Sequence, residues 1–281
     1  GSLWSDLNGD GWPDLVLACD SGPLRVFANQ SGTLLEQTEA WGLSDEIGLW
    51  NGIATGDFNG DGRPDLIASN WGQNHRHQVH RDHPIILRYG DIQGDQVTDS
   101  VEAYFAKSLD AYVPYRLRDH LSQVMPSIAQ RFATHAAYSR ATLDAIWEPQ
   151  ASFRDLAIQR LESMLYLNRG TRFEGQALPS AAQFAPGTAV CVSDFDGDGN
   201  EDVFMGQNIS ALNQEISPLN AGRGLVLLGS GKGTFDALDG AESGIRVYGD
   251  QRGAAIGDFN QDHRPDLVIS QNNEATQLYQ N

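Results

Sequence analysis

The chain has 281 residues, 37 of them acidic and 19 basic, for a formal net charge of −18. That surplus excludes a phosphate-neutralising nucleic-acid binder and a polybasic membrane-surface protein, since both need clustered Lys and Arg. No apolar run approaches the ~20 residues of a spanning helix.

The pattern begins at once. Gly1-Ser2 reads as a cloning remnant ahead of a sequence that starts inside a motif, so the chain is expected to come from something longer. The first acidic loop, Asp6-Leu7-Asn8-Gly9-Asp10-Gly11-Trp12-Pro13-Asp14, runs into the apolar stretch Leu15-Val16-Leu17. A further strand pair is predicted at Arg25–Asn29 and Gly32–Leu34. The loop recurs 51 residues on as Asp57-Phe58-Asn59-Gly60-Asp61-Gly62-Arg63-Pro64-Asp65, before Leu66-Ile67-Ala68. Four histidines follow (His75, His77, His80, His83), then a weaker copy with Asp91, Asp95 and Asp99. Between Arg116 and Trp147 the pattern changes to a helical period. Leu117, Leu121 and Val124, then Ile128, Phe132, Leu143 and Ile146 behind Pro126, predict two helices. Strands resume at Leu165–Asn168. The third strong loop is Asp194-Phe195-Asp196-Gly197-Asp198-Gly199-Asn200-Glu201-Asp202. The fourth is Asp258-Phe259-Asn260-Gln261-Asp262-His263-Arg264-Pro265-Asp266, with Gln261 and His263 in place of glycines. Between them, Gly229-Ser230-Gly231-Lys232-Gly233-Thr234 lacks the first glycine of a phosphate loop, since Val226 holds that place, and reads as a hairpin turn.

Each unit therefore reads strand, acidic loop, strand, hairpin. Short strands with Gly and Asn turns at regular spacing predict an all-β fold, a β-propeller of four-stranded antiparallel blades. The intervals between strong loops are 51, 137 and 64 residues, which predicts about five blades with the helices inserted. Residues 1–115 and 148–281 are assigned to blades and 116–147 to a helical insertion. The last unit is expected to lack its outer strand and the first the strand before its loop. Either the ends complete each other or the chain is an arc of a larger wheel. Cys19 and Cys191 sit in apolar runs and are expected to be free, buried thiols.

The loop chemistry points to calcium. A hard cation takes six to eight oxygens, and alternate positions of a tight loop turn theirs to one point. The predicted ligands are side chains at positions 1, 3 and 5, a carbonyl at 7 and a carboxylate at 9. These are Asp6, Asn8, Asp10, Trp12 and Asp14; Asp57, Asn59, Asp61, Arg63 and Asp65; Asp194, Asp196, Asp198, Asn200 and Asp202; Asp258, Asn260, Asp262, Arg264 and Asp266. An EF-hand does not fit, because its Glu at position 12 is replaced by Leu17, Ala68, Met205 and Ile269 and its exiting helix by a strand. A solvated turn would explain one copy but not four at fixed internal spacing.

The unit from Gly56 to Leu66 resembles the FG-GAP or VCBS-type repeat, found in calcium-binding β-propellers such as the integrin α-subunit head. The run from Asn70-Trp71-Gly72 through Gly90-Asp91, with Ala141-Thr142-Leu143-Asp144, is similar to bacterial exported propellers related to cartilage acidic protein. The resemblance implies calcium in structural loops and an extracellular, periplasmic or outer-surface location; it implies no reaction. The chain is thus expected to be a non-enzymatic binding or adhesion module holding about four structural calcium ions. Its expected partner is an extracellular protein or a glycan. The alternatives are a polysaccharide lyase or hydrolase using the His75–His83 loop, with Tyr89 or Tyr104 assisting, and a purely structural module of a larger exported protein.

Overall fold

In a computed structural model, residues 1–76, 82–92, 95–147, 152–210 and 217–281 are described. The chain divides into two compact units, Gly1–His75 with Arg160–Asn281, and Arg76–Gln159.

In the first unit, β1 (Ser2–Ser5) and β2 (Asp14–Ala18) flank the first acidic loop. After β3 (Asp20–Gly22) comes the hairpin of β4 (Leu24–Gln30) and β5 (Thr33–Glu36), giving a sheet ordered β1-β2-β4-β5. β6 (Gly48–Leu49) pairs with β3, and β7 (Ile53–Gly56) and β8 (Asp65–Ala68) flank the second loop.

The second unit interrupts that sheet. It holds β9 (Ile85–Gly90), β10 (Asp99–Ala106) and β11 (Ala111–Pro114), then four short helices and β12 (Arg154–Ile158). The helices are α1 (Arg118–Val124), α2 (Pro126–Arg131), α3 (His135–Tyr138) and α4 (Leu143–Ile146). Thr134 and Thr142 cap α3 and α4 by accepting the Ala137 and Ala145 N–H groups. Leu121, Met125, Ile128, Leu143, Ile146 and Trp147 pack with Val101 and Ala103 in one core. Buried Arg88 is held by Asp155 through two 2.8 Å bonds and by Asp144 at 2.6 Å.

The first unit then completes its interrupted sheet with β13 (Met164–Asn168) and β14 (Phe173–Ala177), ordered β14-β13-β8-β7. A third sheet runs β15 (Gly187–Ser193), β16 (Asp202–Gln207), β17 (Leu225–Gly229) and β18 (Phe235–Leu238). The last has three strands, β19 (Gln251–Gly257), β20 (Asp266–Gln271) and β21 (Gln277–Tyr279).

Side-chain alternation explains how these sheets stack. On β8, Leu66 and Ala68 point into a core shared with Val16, Val26 and Trp41, while Ile67 points into one shared with Val203 and Met205. On β16, Val203 and Met205 face that second core and Phe204 a third, with Leu267 and Ile269 of β20. The central strands are therefore apolar on both faces, like strands buried between two layers. The first strands of successive sheets lie side by side, β1 with β7, β7 with β15, β15 with β19. That is the blade-on-blade, propeller-like arrangement the repeats predict.

Three expectations need correction. The 137-residue interval holds one interrupted blade plus the inserted unit, whose own sheet is ordered β11-β10-β9-β12. In it the strand before the loop, β9, is interior, whereas in every blade that strand lies at the edge. The helical stretch forms four short helices rather than two, and Leu117 (61% exposed), just before α1, and Val124 (63% exposed), its last residue, face outward, because α1 is only seven residues long and Leu121 alone turns inward. The first loop does have a preceding strand, since Ser2–Ser5 pairs with Asp14–Leu17.

Candidate metal centres

All four strong loops close by the same hydrogen bonds. The carboxylate at position 1 accepts N–H groups from positions 5 and 6: Asp10 and Gly11 onto Asp6 (3.1 and 2.8 Å), Asp61 and Gly62 onto Asp57 (3.0 and 2.8 Å). Asp194 takes those of Asp198 and Gly199 at 3.1 and 2.9 Å, and Asp258 those of Asp262 and His263 at 3.0 Å each. The side chain at position 3 accepts the position-5 N–H, and that at position 5 the position-7 N–H. These nested Asx turns hold the side-chain oxygens of positions 1, 3 and 5 on the inside of the loop. Position 6 needs φ of +77° to +90° at Gly62, Gly11 and Gly199, and the fourth loop places His263 at +71°.

The carboxylate at position 9 does something the spacing does not reveal. It is completely buried in all four loops, and each of its oxygens accepts a backbone N–H. One donor is position 2 of the same loop, the other the end of the third strand of the sheet. Asp14 takes Leu7 (3.1 Å) and Asn29 (2.8 Å), and Asp65 takes Phe58 (3.1 Å) and Asn168 (2.7 Å). Asp202 takes Phe195 (2.8 Å) and Gly229 (2.7 Å), and Asp266 takes Phe259 (2.8 Å) and Asn281 (3.0 Å). Each loop is thereby stapled to its own blade. Burial raises the carboxyls of Asp14 and Asp202 above their ordinary value, and that of Asp65 to about 6, while at Asp266 the Asn281 N–H pulls the value down.

Neighbouring blades are joined through the same loops. The position-2 carbonyls of Leu7, Phe58 and Phe195 accept from Asn168 Nδ2 (2.9 Å), the Gly233 N–H (2.7 Å) and Asn281 Nδ2 (2.6 Å) of the next sheet. Glu201, at position 8, also reaches back to accept the Asp57 N–H, and burial raises its carboxyl. The sequence carries one visible hint of these links. Asn29, Asn168 and Asn281 each lie at or just past the end of a third strand.

The donor set fits a hard divalent cation. In the third loop one carboxylate oxygen each from Asp194, Asp196 and Asp202 lies within 4.8 Å of the others. Loops one, two and four place Asn8, Asn59 and Asn260 at position 3, so they offer fewer charges but the same oxygens. In the second loop Arg63 pairs with Asp61 at 2.5 Å. The degenerate loop at Asp91 closes in the same way where it is described, with Asp91 accepting from Asp95 (3.1 Å) and Gln96 (2.9 Å) and Asp99 from Ile92 (3.2 Å).

The histidines are not assembled into a described cluster. His77 and His80 lie outside the described residues. His75 donates to the Gly72 carbonyl at 3.0 Å and sits edge-on to Trp71, and burial lowers its basicity. His83 stacks on Phe105. Ser230 Oγ and Thr234 Oγ1, 2.7 Å apart, tie the Gly229–Thr234 segment into the β17–β18 hairpin turn, as the residues predict. Cys19 and Cys191 are free thiols, half-buried rather than buried.

Residues 6–68 match the FG-GAP-like repeat family. Cartilage acidic protein 1 of Mus musculus is 25% identical over 215 residues, covering 75% of this chain and 28% of its own length. That of Homo sapiens is 23% identical over 214 residues, with 75% and 28% covered. That of Xenopus tropicalis is 25% identical over 215 residues, with 75% and 29% covered. The chain spans less than a third of the length of these relatives. The crystal structure of the V. cholerae biofilm matrix protein Bap1 aligns over 97% of this chain and 60% of its own at 11% identity, with a TM-score of 0.28.

Proposed function

Because residues 6–68 form an FG-GAP-like repeat that recurs along the chain, we propose that this is a calcium-stabilised extracellular binding module and not an enzyme. The observation that carries the reading is the repeated all-oxygen loop, folded alike in four blades and stapled by a buried aspartate to the strands it joins. Calcium there would be held by the side chains of positions 1, 3 and 5, the position-7 carbonyl and the position-9 carboxylate. Its charge would offset much of the thirteen aspartates in these loops within a chain of net charge −18. Exposed loops with neutral Asn ligands suit the millimolar calcium of extracellular modules, which supports an exported location. The partner is a protein or a glycan met outside the cell.

The test is a thermal melt in excess calcium and in chelator, with metal analysis of the same sample. About four ions per chain and a large calcium-dependent rise in melting temperature are expected. An unchanged Tm with no bound calcium would reduce the loops to turns and overturn the reading.

A further inference from the structure

The Arg76–Gln159 unit contains a cavity of about 590 Å3, a size ordinary for a ligand site. Its lining is the reverse of the chain as a whole. Arg76, Arg116, Arg118 and His135 line it, and among the described residues no Asp or Glu does, although acids outnumber bases 37 to 19 over the chain. Two of the cations are positioned by the fold. Arg118 donates to the Phe132 carbonyl at 2.6 Å and pairs with Asp119, which lies outside the lining. Arg76 lies over the Tyr115 ring at 5.3 Å. Tyr138 donates its hydroxyl to the Arg116 carbonyl at 2.7 Å, tying the Arg116 backbone to α3.

Beside these cations is an aromatic ledge. Tyr104 and Tyr115 have ring centroids 4.6 Å apart, and Tyr104 is 39% exposed. A guanidinium fork recognises a planar carboxylate, and a tyrosine face takes the apolar side of a ring while its hydroxyl stays wet. The adjoining edge strand β11 is a poor template for a peptide strand, being four residues long and ending on Pro114, which has no N–H.

We infer that this cavity binds a uronate unit of an acidic polysaccharide, its carboxylate between Arg76, Arg116 and Arg118 and its ring on the exposed Tyr104, which the buried Tyr115 backs. The inference rests on the binding-module reading and names its partner class.

The probes are hexagalacturonate, its methyl ester and hexaglutamate, titrated calorimetrically into the full chain in calcium. Hexagalacturonate binds with one site per chain, weakens with added salt, and exceeds both other probes at least tenfold. Arg116→Glu and Tyr104→Ala each weaken it at least tenfold with the melting temperature kept. Arg116→Gln, which removes the charge without introducing one of the opposite sign, separates loss of charge from loss of fold. Equal binding of the ester, equal binding of hexaglutamate, no binding, or binding indifferent to the folded variants each overturns the inference. A calcium-stabilised protein that ignores hexagalacturonate sinks this site alone. A protein without calcium dependence sinks the earlier reading and leaves the titration readable, because no loop residue lines the cavity.

Discussion

Asp65 offers a sharp test of the stapled loops through its proton. Its carboxyl is fully buried, and burial raises it from 3.8 to about 6 in the metal-free protein. The folded state therefore binds the proton more tightly than the unfolded chain. Between pH 3.8 and about 6 unfolding releases a proton, so stability is highest at the acid end and falls as pH rises through the window. A shift of about two units corresponds to about 3 kcal/mol at full ionisation. Asp14, Asp202 and Glu201 are raised by burial as well and add to the trend. Asp65→Asn removes its share alone. Urea unfolding of calcium-free protein from pH 4 to 7 should lose about 2 kcal/mol more in the parent than in Asp65→Asn. In saturating calcium the bound charge favours the carboxylate, and the difference shrinks. Equal slopes in parent and variant, or calcium-free stability of the parent that gains on the variant with rising pH, would refute the argument.

Asp57→Asn, at a half-buried loop position, should cost about 1 kcal/mol without calcium but lower the bound ions by about one, read by metal analysis. His263→Gly with Gln261→Gly relieves two residues held at φ +71° and +62° with no packing to lose. A gain of roughly 1 kcal/mol, or about 2–4 °C in Tm, is expected, and a fall in Tm would contradict it. Glu46 accepts both arms of the Arg160 fork (2.7 and 3.0 Å) and the Tyr166 hydroxyl (2.9 Å). Glu46→Ala should cost about 2–4 kcal/mol by leaving a half-buried guanidinium unpaired. Glu36→Ala, which breaks the exposed pair with Arg25, should cost far less; equal losses in urea melts would show that burial is not the cause.

What was legible in the sequence was local. The loops announce themselves because glycine at position 6 and oxygens at 1, 3 and 5 satisfy one another within nine residues. The hairpins at Gly32, Gly170 and Gly233 follow from turn residues between apolar runs. The staple was not legible, because the second N–H for Asp14 or Asp65 comes from a strand end whose distance along the chain varies. Nor was the extent of the inserted unit. Its sheet uses strands with no repeat motif apart from the Asp91 loop, and helices of four to seven residues carry too little periodicity to mark a face. Leu117 and Val124 fit a helical stripe by spacing and stand in solvent. The cationic cavity was equally hidden, since Arg76, Tyr104 and His135 come together only in three dimensions.

The split second blade sets an order of events. The staple from the position-9 aspartate spans 15 residues in the first and last sheets and 27 in the third, but 103 from Asp65 to the Asn168 N–H. Closing a chain segment that long costs roughly 1.7 kcal/mol more than closing one of fifteen. Contacts of such separation also form slowly. The sheet of β7, β8, β13 and β14 is therefore expected to assemble last, once the 76–159 segment has collapsed on its own core and shortened the path. With the cores on both sides of β8 open until then, the refolding rate of the whole chain is expected to depend on a segment that contributes no strand to the blade it delays.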